Sequence, residues 1–405
     1  MNRQLFVLSI ASFAIGTGEF IIVGLLPRIA STFSVSIPAA SWLVSAYALS
    51  VAFGSPILTL LLARTSHRFA AVLLLGIFSG GTIACAVAPA FSFLLVARVV
   101  TALAHGAFFG VGTTIATESV SPDKRGQAVS LLFLGLTIAN VLGVPAGTFI
   151  AQVISWRLTL GIVALLGVVS TIGLLSAIPS RKLVTDVSWK KDVYSMLSVG
   201  VAMVAVVSVS ASASLFALLT YISPTLTEGW HVPASFVPGG LFIFGTGLAI
   251  GGLVGGRLAD GSLRGTLVTG LSTIVVIMSL VPWLGAGVVA EAIFLLTWGI
   301  AAFSLNAPLQ LLMVEKAKAA PRLAATLNQS AFNLGDAAGA WAGSALLNLG
   351  AGYGDLPFLS AGLALTSVVF VCFTGMRTID VRANVKRMTN RERTGKLNNH
   401  CKRSR

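Results

Sequence analysis

Stretches of about 20 largely apolar residues recur from Leu5 to Met376, separated only by brief charged or turn-rich segments. A helix of about 20 residues rises about 30 Å, the thickness of a bilayer's hydrocarbon core. Runs of that length, repeated along the whole chain, read as membrane-spanning helices. Composition agrees: 56% of the 405 residues are apolar and 10% charged, and the mean hydropathy is +0.91. That is too little polar side chain to coat a soluble globule, so lipid has to cover the rest. The first run, Leu5 to Pro27, is longer than a signal-peptide core and holds a glutamate, which makes it an uncleaved first span.

With Gly, Pro and charge clusters as punctuation, spans fall near 5–27, 40–63, 69–89, 93–118, 126–152 and 157–179, then near 193–221, 235–256, 265–284, 288–314, 323–349 and 357–376. If the N-terminus is cytoplasmic, every one of the 27 Lys and Arg residues lies on the inner side except Arg28 and Arg157 outside and Arg98 within a span. The bias predicts both termini inside, and it accounts for the net charge of +14 without nucleic acid as a partner. The basic segment 377–405 has few apolar residues and no helical stripe. It is expected to be disordered, either as a stop-transfer flank or as a ligand for anionic lipid headgroups. Cys85, Cys372 and Cys401 have neither metal-ligand spacing nor a disulfide framework.

A single offset of 196 residues aligns two separate regions of the chain. Ala63-Arg64 and Arg68 fall on Ala259-Asp260 and Arg264, and the run Gly135 to Gly147 falls on Ala331 to Gly343, with Asn140 on Asp336. Two regions in one register argue for duplication. Six spans per copy, an even number, give the copies the same orientation, related by a pseudo-twofold axis along the membrane normal. The expected organisation is an N-terminal half 1–179, a cytoplasmic linker 180–192, a C-terminal half 193–376 and the tail 377–405. A binding site at the interface between halves, near the midplane, follows as a hypothesis.

Several motifs recur in a telling order. Span 1 carries Gly18-Glu19-Phe20 and Gly24-Leu25-Leu26-Pro27, span 4 carries Arg98 and then Ala102, and span 5 carries Gly143-Val144-Pro145-Ala146-Gly147. Trp156-Arg157 opens span 6, and Gly256-Arg257-Leu258-Ala259-Asp260 with Arg264 follows span 8. In order and spacing these resemble the major facilitator superfamily, specifically its twelve-span bacterial drug:proton antiporter branch and the arabinose/drug efflux-like permeases within it. The resemblance covers residues 5 to 377. It implies that the loop after span 8 clamps the two halves in one state through Asp260, Arg264 and helix-end contacts. Its counterpart, Leu62-Ala63-Arg64-Thr65-Ser66-His67-Arg68, keeps Arg64 and Arg68 but lacks the glycine and the aspartate of that lock. The resemblance also ties Arg98 to proton coupling and Gly143, Pro145 and Gly147 to export.

The few ionisable residues inside apolar runs carry the chemistry, because each costs at least about 2.5–3.5 kcal/mol to insert. Glu19 sits well inside span 1, with no charge nearer in sequence than Arg28. A carboxyl there can exchange a proton in the physiological range, and Glu19 is the principal expected site for a proton or a substrate cation. The plain alternative is a carboxyl hydrogen-bonded between helices. Arg98 cannot readily lose its charge and needs a carboxylate, backbone carbonyls or water. His105, seven residues on and on roughly the same face, has a pKa suited to proton relay, although a lone histidine in a helix more often packs or hydrogen-bonds.

In span 11, Gln329, Asn333 and Asp336 share a helical face, and Asn328 adds a further amide. That face either lines the cavity or bonds neighbouring helices. Asn306 and Gln310 bracket Pro308, which frees a backbone carbonyl, and are further cavity candidates with Asn140. Glu118 and Glu291 read as helix-end flanks. Glycines four apart in spans 5, 8 and 11 allow close helix approach, as static seams or as sliding surfaces.

No Walker A sequence, HExxH or Cys/His metal cluster is present, so neither ATP-driven transport by this chain alone, nor catalysis, nor a metal or other cofactor is expected. The predicted function is proton-coupled export of a small amphipathic molecule (drug, sugar or nucleoside-like) by alternating access, in a multi-pass protein of the bacterial inner membrane acting as a monomer. Its partners would be that solute, protons and the lipid bilayer. An uncoupled facilitator with the same fold, or a non-transporting sensor, remains open.

Overall fold

A computed structural model describes residues 3–62, 64–121, 124–178, 198–281, 287–317 and 321–373. Among them there is no strand, and the long helices run in two sets of six. The first set is α1 (Arg3–Phe33), α2 (Trp42–Leu62), α3 (His67–Ala86), α4 (Phe91–Glu118), α5 (Arg125–Val153) and α6 (Trp156–Ala177). The second is α7 (Val199–Leu219), α8 (Val237–Ala259), α9 (Leu263–Leu280), α10 (Val288–Lys316), α11 (Pro321–Asn348) and α12 (Leu356–Phe373). By length and composition 11 helices among the described residues can cross a membrane. The other, α11, is long enough at 28 residues but carries Asn328, Gln329, Asn333 and Asp336. The expected linker 180–192 and tail 377–405 lie outside the described residues.

Local signals set the boundaries. Ser66 and Ser262, 196 apart in sequence, cap α3 and α9 by accepting the amide hydrogens of Phe69 and Gly265. The duplication read from two motifs therefore extends to matched helix starts. Its packing is matched too: α1 lies on α5 and α6 as α7 lies on α11 and α12, and α2 on α4 as α8 on α10. The halves meet chiefly through α2 against α11 and α5 against α8, an exchange of equivalent pairs that a twofold axis requires.

Three prolines shape the spans, one by lying inside a helix expected to end at it and two by disturbing the helix before them. Span 1 was expected to end at Pro27, but α1 continues through it to Phe33. A proline deletes one amide donor, and near a helix end neighbouring groups re-satisfy the freed carbonyl. In α5, Pro145 has no N–H for the carbonyl of Val141, and the helix widens just before it into a π-turn, Ala139–Gly143, with the Val144 amide bonded to Ala139. α10 breaks at Ser304–Leu305, just before Pro308, which has no N–H to offer the Ser304 carbonyl four residues earlier.

The glycine stripes pack within halves. A Cβ on Gly247, Gly251 or Gly255 of α8 would meet the backbone of α10, and one on Gly335 or Gly339 of α11 would meet the backbone of α7. Gly143 and Gly147 of α5 receive Thr17 and Ile21 of α1. These are seams that join each half into a unit, since apolar burial gives no drive between helices in lipid and close backbone approach does. Phe53, Leu61, Leu165, Leu253 and Val289 stand exposed on the bundle, a cost in water but not against acyl chains.

Candidate functional site

Glu19 and Arg98 meet between α1 and α4, but not as an ion pair. The Arg98 guanidinium donates to the backbone carbonyls of Gly18, at 2.7 Å, and Glu19, at 3.3 Å. Its flat face lies 4.1 Å from the ring centroid of Tyr47 on α2. Arg98 is 2% exposed, so a permanent charge is held by carbonyl dipoles and an aromatic face. Of the three kinds of partner the sequence allowed it, it takes backbone carbonyls.

The Glu19 carboxylate points instead to His105, whose Nδ1 lies 3.7 Å from its Oε1. The same Nδ1 is 3.1 Å from the Tyr47 hydroxyl. His105 packs further against Phe109, with ring centroids 5.3 Å apart. Seven residues, two helical turns, separate Arg98 and His105 on α4, which is why both reach the same stretch of α1 and α2.

From the other half, Asp336 on α11 accepts a hydrogen bond from Ser212 on α7. Glu19, Arg98, Tyr47 and Asp336, with Phe20 and Phe216, line one small cavity between the halves, with about 10 Å³ of free space, room for about one water. A second small cavity, about 20 Å³, shares Phe20 and Val23 with it and is lined by Asn140, Val144, Leu219, Leu241 and Phe244. Three of the four residues expected to couple protons thus line one space, with His105 directly behind Glu19. Two carboxyls from opposite halves face this space, whose other walls are mainly apolar and aromatic; as it stands it admits water and can exchange protons, and a solute would need the halves to part.

The amides divide. Asn140 sits in the π-turn of α5 and borders the second cavity; its side-chain amide donates to Leu136 at 3.1 Å. Gln310 and Asn328 are occupied with each other at 2.7 Å, and Ser208 donates to Asn328 at 2.7 Å, which ties α7, α10 and α11 together. Asn333 donates to the Gln329 carbonyl at 3.0 Å, and its own oxygen is buried without a partner among the described residues. Asn306 is half-buried where α10 resumes after its break. Asn306, Gln310, Gln329 and Asn333 line neither cavity.

The loop motifs hold each half together at this state. Arg264 donates to the carbonyl of Cys372 at the end of α12, in its own half, at 3.1 Å. Arg257 and Asp260 stand at the last turn and C-cap of α8, beside Gly256. Arg64 is exposed and Arg68 half-buried. Where the first loop lacks its acid, His67 binds Glu118 at 3.2 Å, joining the start of α3 to the end of α4. Glu118 is a flank, as expected. Glu291 also stands in the first turn of its helix, as expected, but its side chain is buried at 3% exposure, turned toward the protein while Val288 and Val289 on the same turn are exposed.

Sequence reasoning missed Tyr47, Phe216, His67 and the serines of α7. A signal existed for the last. Ser208, Ser210, Ser212 and Ser214 alternate in an apolar run; the first and third, four apart, bond Asn328 and Asp336 on α11, and the other two bond Ser367 and Ser360 on α12.

Three hydrogen bonds between the halves lie toward the end of the bundle where α1 finishes and α2 begins: Ser45 to the Ala337 carbonyl (3.4 Å), Ser344 to the Pro38 carbonyl (3.2 Å) and Gln152 to the Ala234 carbonyl (3.0 Å). Deeper on the same side, Gly245 of α8 lies directly on the carbonyl of Asn140.

Comparison with known proteins bears on this arrangement. The family model described as Major Facilitator Superfamily matches residues 8–340. The "Inner membrane transport protein YdhP" of Escherichia coli (strain K12) is 40% identical over 371 residues, 91% of this chain and 95% of that protein. The "Chloramphenicol resistance protein" of Streptomyces lividans is 30% identical over 379 residues, covering 92% and 96%. Among solved structures, a bacterial homologue of the human lysosomal transporter Spinster, inward-facing and unoccupied, superposes with a TM-score of 0.66 at 16% identity, over 91% of this chain and 94% of that one.

Proposed function

Because the chain belongs to the major facilitator superfamily, a family of membrane transporters, we propose that it is a proton-coupled antiporter that exports a small amphipathic molecule. The observation that carries this reading is the Glu19 carboxyl: it faces a cavity between the halves, against His105, while the nearby Arg98 is engaged by backbone carbonyls. A carboxyl not neutralised by its arginine is free to bind either a proton or a cationic or hydrogen-bonding group of a solute. Asp336 supplies a second acid from the opposite half.

In the proposed cycle the cavity opens to the cytoplasm, Glu19 releases its proton there, and the solute binds among Phe20, Tyr47 and Phe216. The halves rock and the solute leaves on the far side. A proton then binds Glu19 and the empty carrier returns. Directionality and solute class are supported by the motif in α5 and by the resistance-associated relative from Streptomyces. The inner-membrane description of the Escherichia coli relative supports the same location here, and the Lys/Arg bias supports cytoplasmic termini. The halves are taken as 1–179 and 193–376, joined by 180–192 and followed by the tail 377–405.

The test is solute counterflow and proton release in liposomes holding the purified protein, screening chloramphenicol-like drugs, pentoses and nucleosides, with Glu19→Gln alongside. Solute-dependent proton flux that disappears in the variant is expected. Solute movement without proton flux, unchanged in Glu19→Gln, would make the protein a facilitator.

A further inference from the structure

Two hydrogen-bond partners contend for one nitrogen. The Nδ1 of His105 is 3.1 Å from the Tyr47 hydroxyl and 3.7 Å from the Glu19 carboxylate. A ring nitrogen presents either a lone pair or an N–H, never both. With a lone pair it accepts the Tyr47 hydroxyl, and Glu19 is left to hold its own proton. With a proton it donates to the Glu19 carboxylate, and the Tyr47 hydroxyl loses its acceptor. Which bond is made therefore depends on whether Glu19 holds its proton: once that proton has left, the carboxylate draws the neutral ring's own N–H to Nδ1 and takes the bond from Tyr47.

Tyr47 is placed to pass that choice on. Its helix, α2, is one of those through which the halves touch, and Ser45, two residues before it, donates to the carbonyl of Ala337, the neighbour of Asp336 on α11. In this structure the shorter distance is to Tyr47 and the α2–α11 contact is closed. The titratable and charged groups around Tyr47 are Glu19 on α1, Cys85 on α3, Arg98 and His105 on α4, and Asp336 across the cavity on α11. Arg98 stays charged and holds the Tyr47 ring in either state, so the hydroxyl is the part that changes partner.

We propose that Tyr47 is the positioning residue that couples the proton on Glu19 to the contact between halves: bonded to His105 it keeps α2 seated against α11, and released from His105 it lets that contact open. The inference rests on Glu19 being the acid that exchanges its proton. It matches the order antiport needs, since loss of the proton to the cytoplasm would unlock the far side for solute exit.

The experiment measures the contact directly, without a solute. In full-length protein carrying Cys85→Ala, Cys372→Ala and Cys401→Ala, the pair Pro38→Cys and Ser344→Cys, adjacent across the same face and leaving Ser45 in place, reports closure by its rate of cross-linking with a short bifunctional maleimide. The rate is expected to fall roughly tenfold from acid to alkaline pH, the ratio that one hydrogen bond sets. Adding Tyr47→Phe should flatten that pH profile, His105→Phe should flatten it equally, and the two together should do no more than either. A profile already flat in the parent pair, or one that keeps its slope in Tyr47→Phe, overturns the proposal. Should liposome transport run without protons while the profile still depends on Tyr47, the antiport reading fails and this one stands.

Discussion

A single methyl group placed between the halves should shift the balance between the two states of the carrier, whereas the same methyl within a half should not. Gly245 of α8 is the position for the first. A Cβ there would meet the carbonyl oxygen and carbon of Asn140 and the Cα of Val141, all backbone atoms of α5. Backbone in a packed helix cannot rotate aside as a side chain can, so α5 and α8 must separate. Overpacking of this kind costs about 1–3 kcal/mol. The cost falls only on the state in which this surface is closed, so the population of that state drops by roughly 5- to 150-fold relative to the open one. Gly251 supplies the control, because its Cβ would meet the backbone of Ile300 in its own half. That clash is the same in both states and lowers stability without tilting the balance. The assay places a cysteine at Ala48, which lines the cavity, and follows its reaction with a membrane-impermeant maleimide added from outside. Gly245→Ala should raise the labelling rate by about fivefold or more, and Gly251→Ala should leave it unchanged while reducing thermal stability. Equal labelling in the two variants would refute the division of glycines into seams within a half and contacts between halves.

Other outcomes follow from the same geometry. Arg98→Lys keeps the charge but cannot reach both carbonyls of α1 and stack on Tyr47 at once; losing one charged hydrogen bond should cost about 1.5–3 kcal/mol, read as a lower unfolding temperature together with slower transport. Asn328→Leu leaves the Gln310 oxygen and the Ser208 hydroxyl without their bonds, a loss of about 1–3 kcal/mol in stability, with the proton-to-solute ratio intact because this network is remote from the cavity. Asp336→Asn keeps an acceptor for Ser212 and removes an acid from the cavity; the pH profile of counterflow should change while the unfolding temperature does not, and the opposite pattern would make Asp336 a structural residue. Glu118→Ala removes a pair whose glutamate is 57% exposed, so its effect on stability should stay under about 1 kcal/mol.

Much of this protein was legible before any coordinates. Lipid leaves a helix no choice but to bond its own backbone, so apolar runs of sufficient length declare themselves as spans, and α11 was readable despite its polar residues because the 196-residue register placed Asp336 on Asn140. Insertion cost likewise marked Glu19, Arg98 and Asp336, which do converge on one cavity. What the chain could not disclose alone is which side of each helix meets which neighbour. A soluble helix advertises its inner face by apolar contrast, whereas a helix in lipid is apolar all round, and contrast vanishes. Hence Gln310 passed for a cavity residue although Asn328 occupies it, and Tyr47 passed unnoticed although it joins Arg98 and His105 beside the cavity between halves. The sequence determined the spans, the duplication and the acids that must be sheltered. Only the packing of twelve nearly featureless cylinders decided which polar atoms face the solute and which hold the cylinders together.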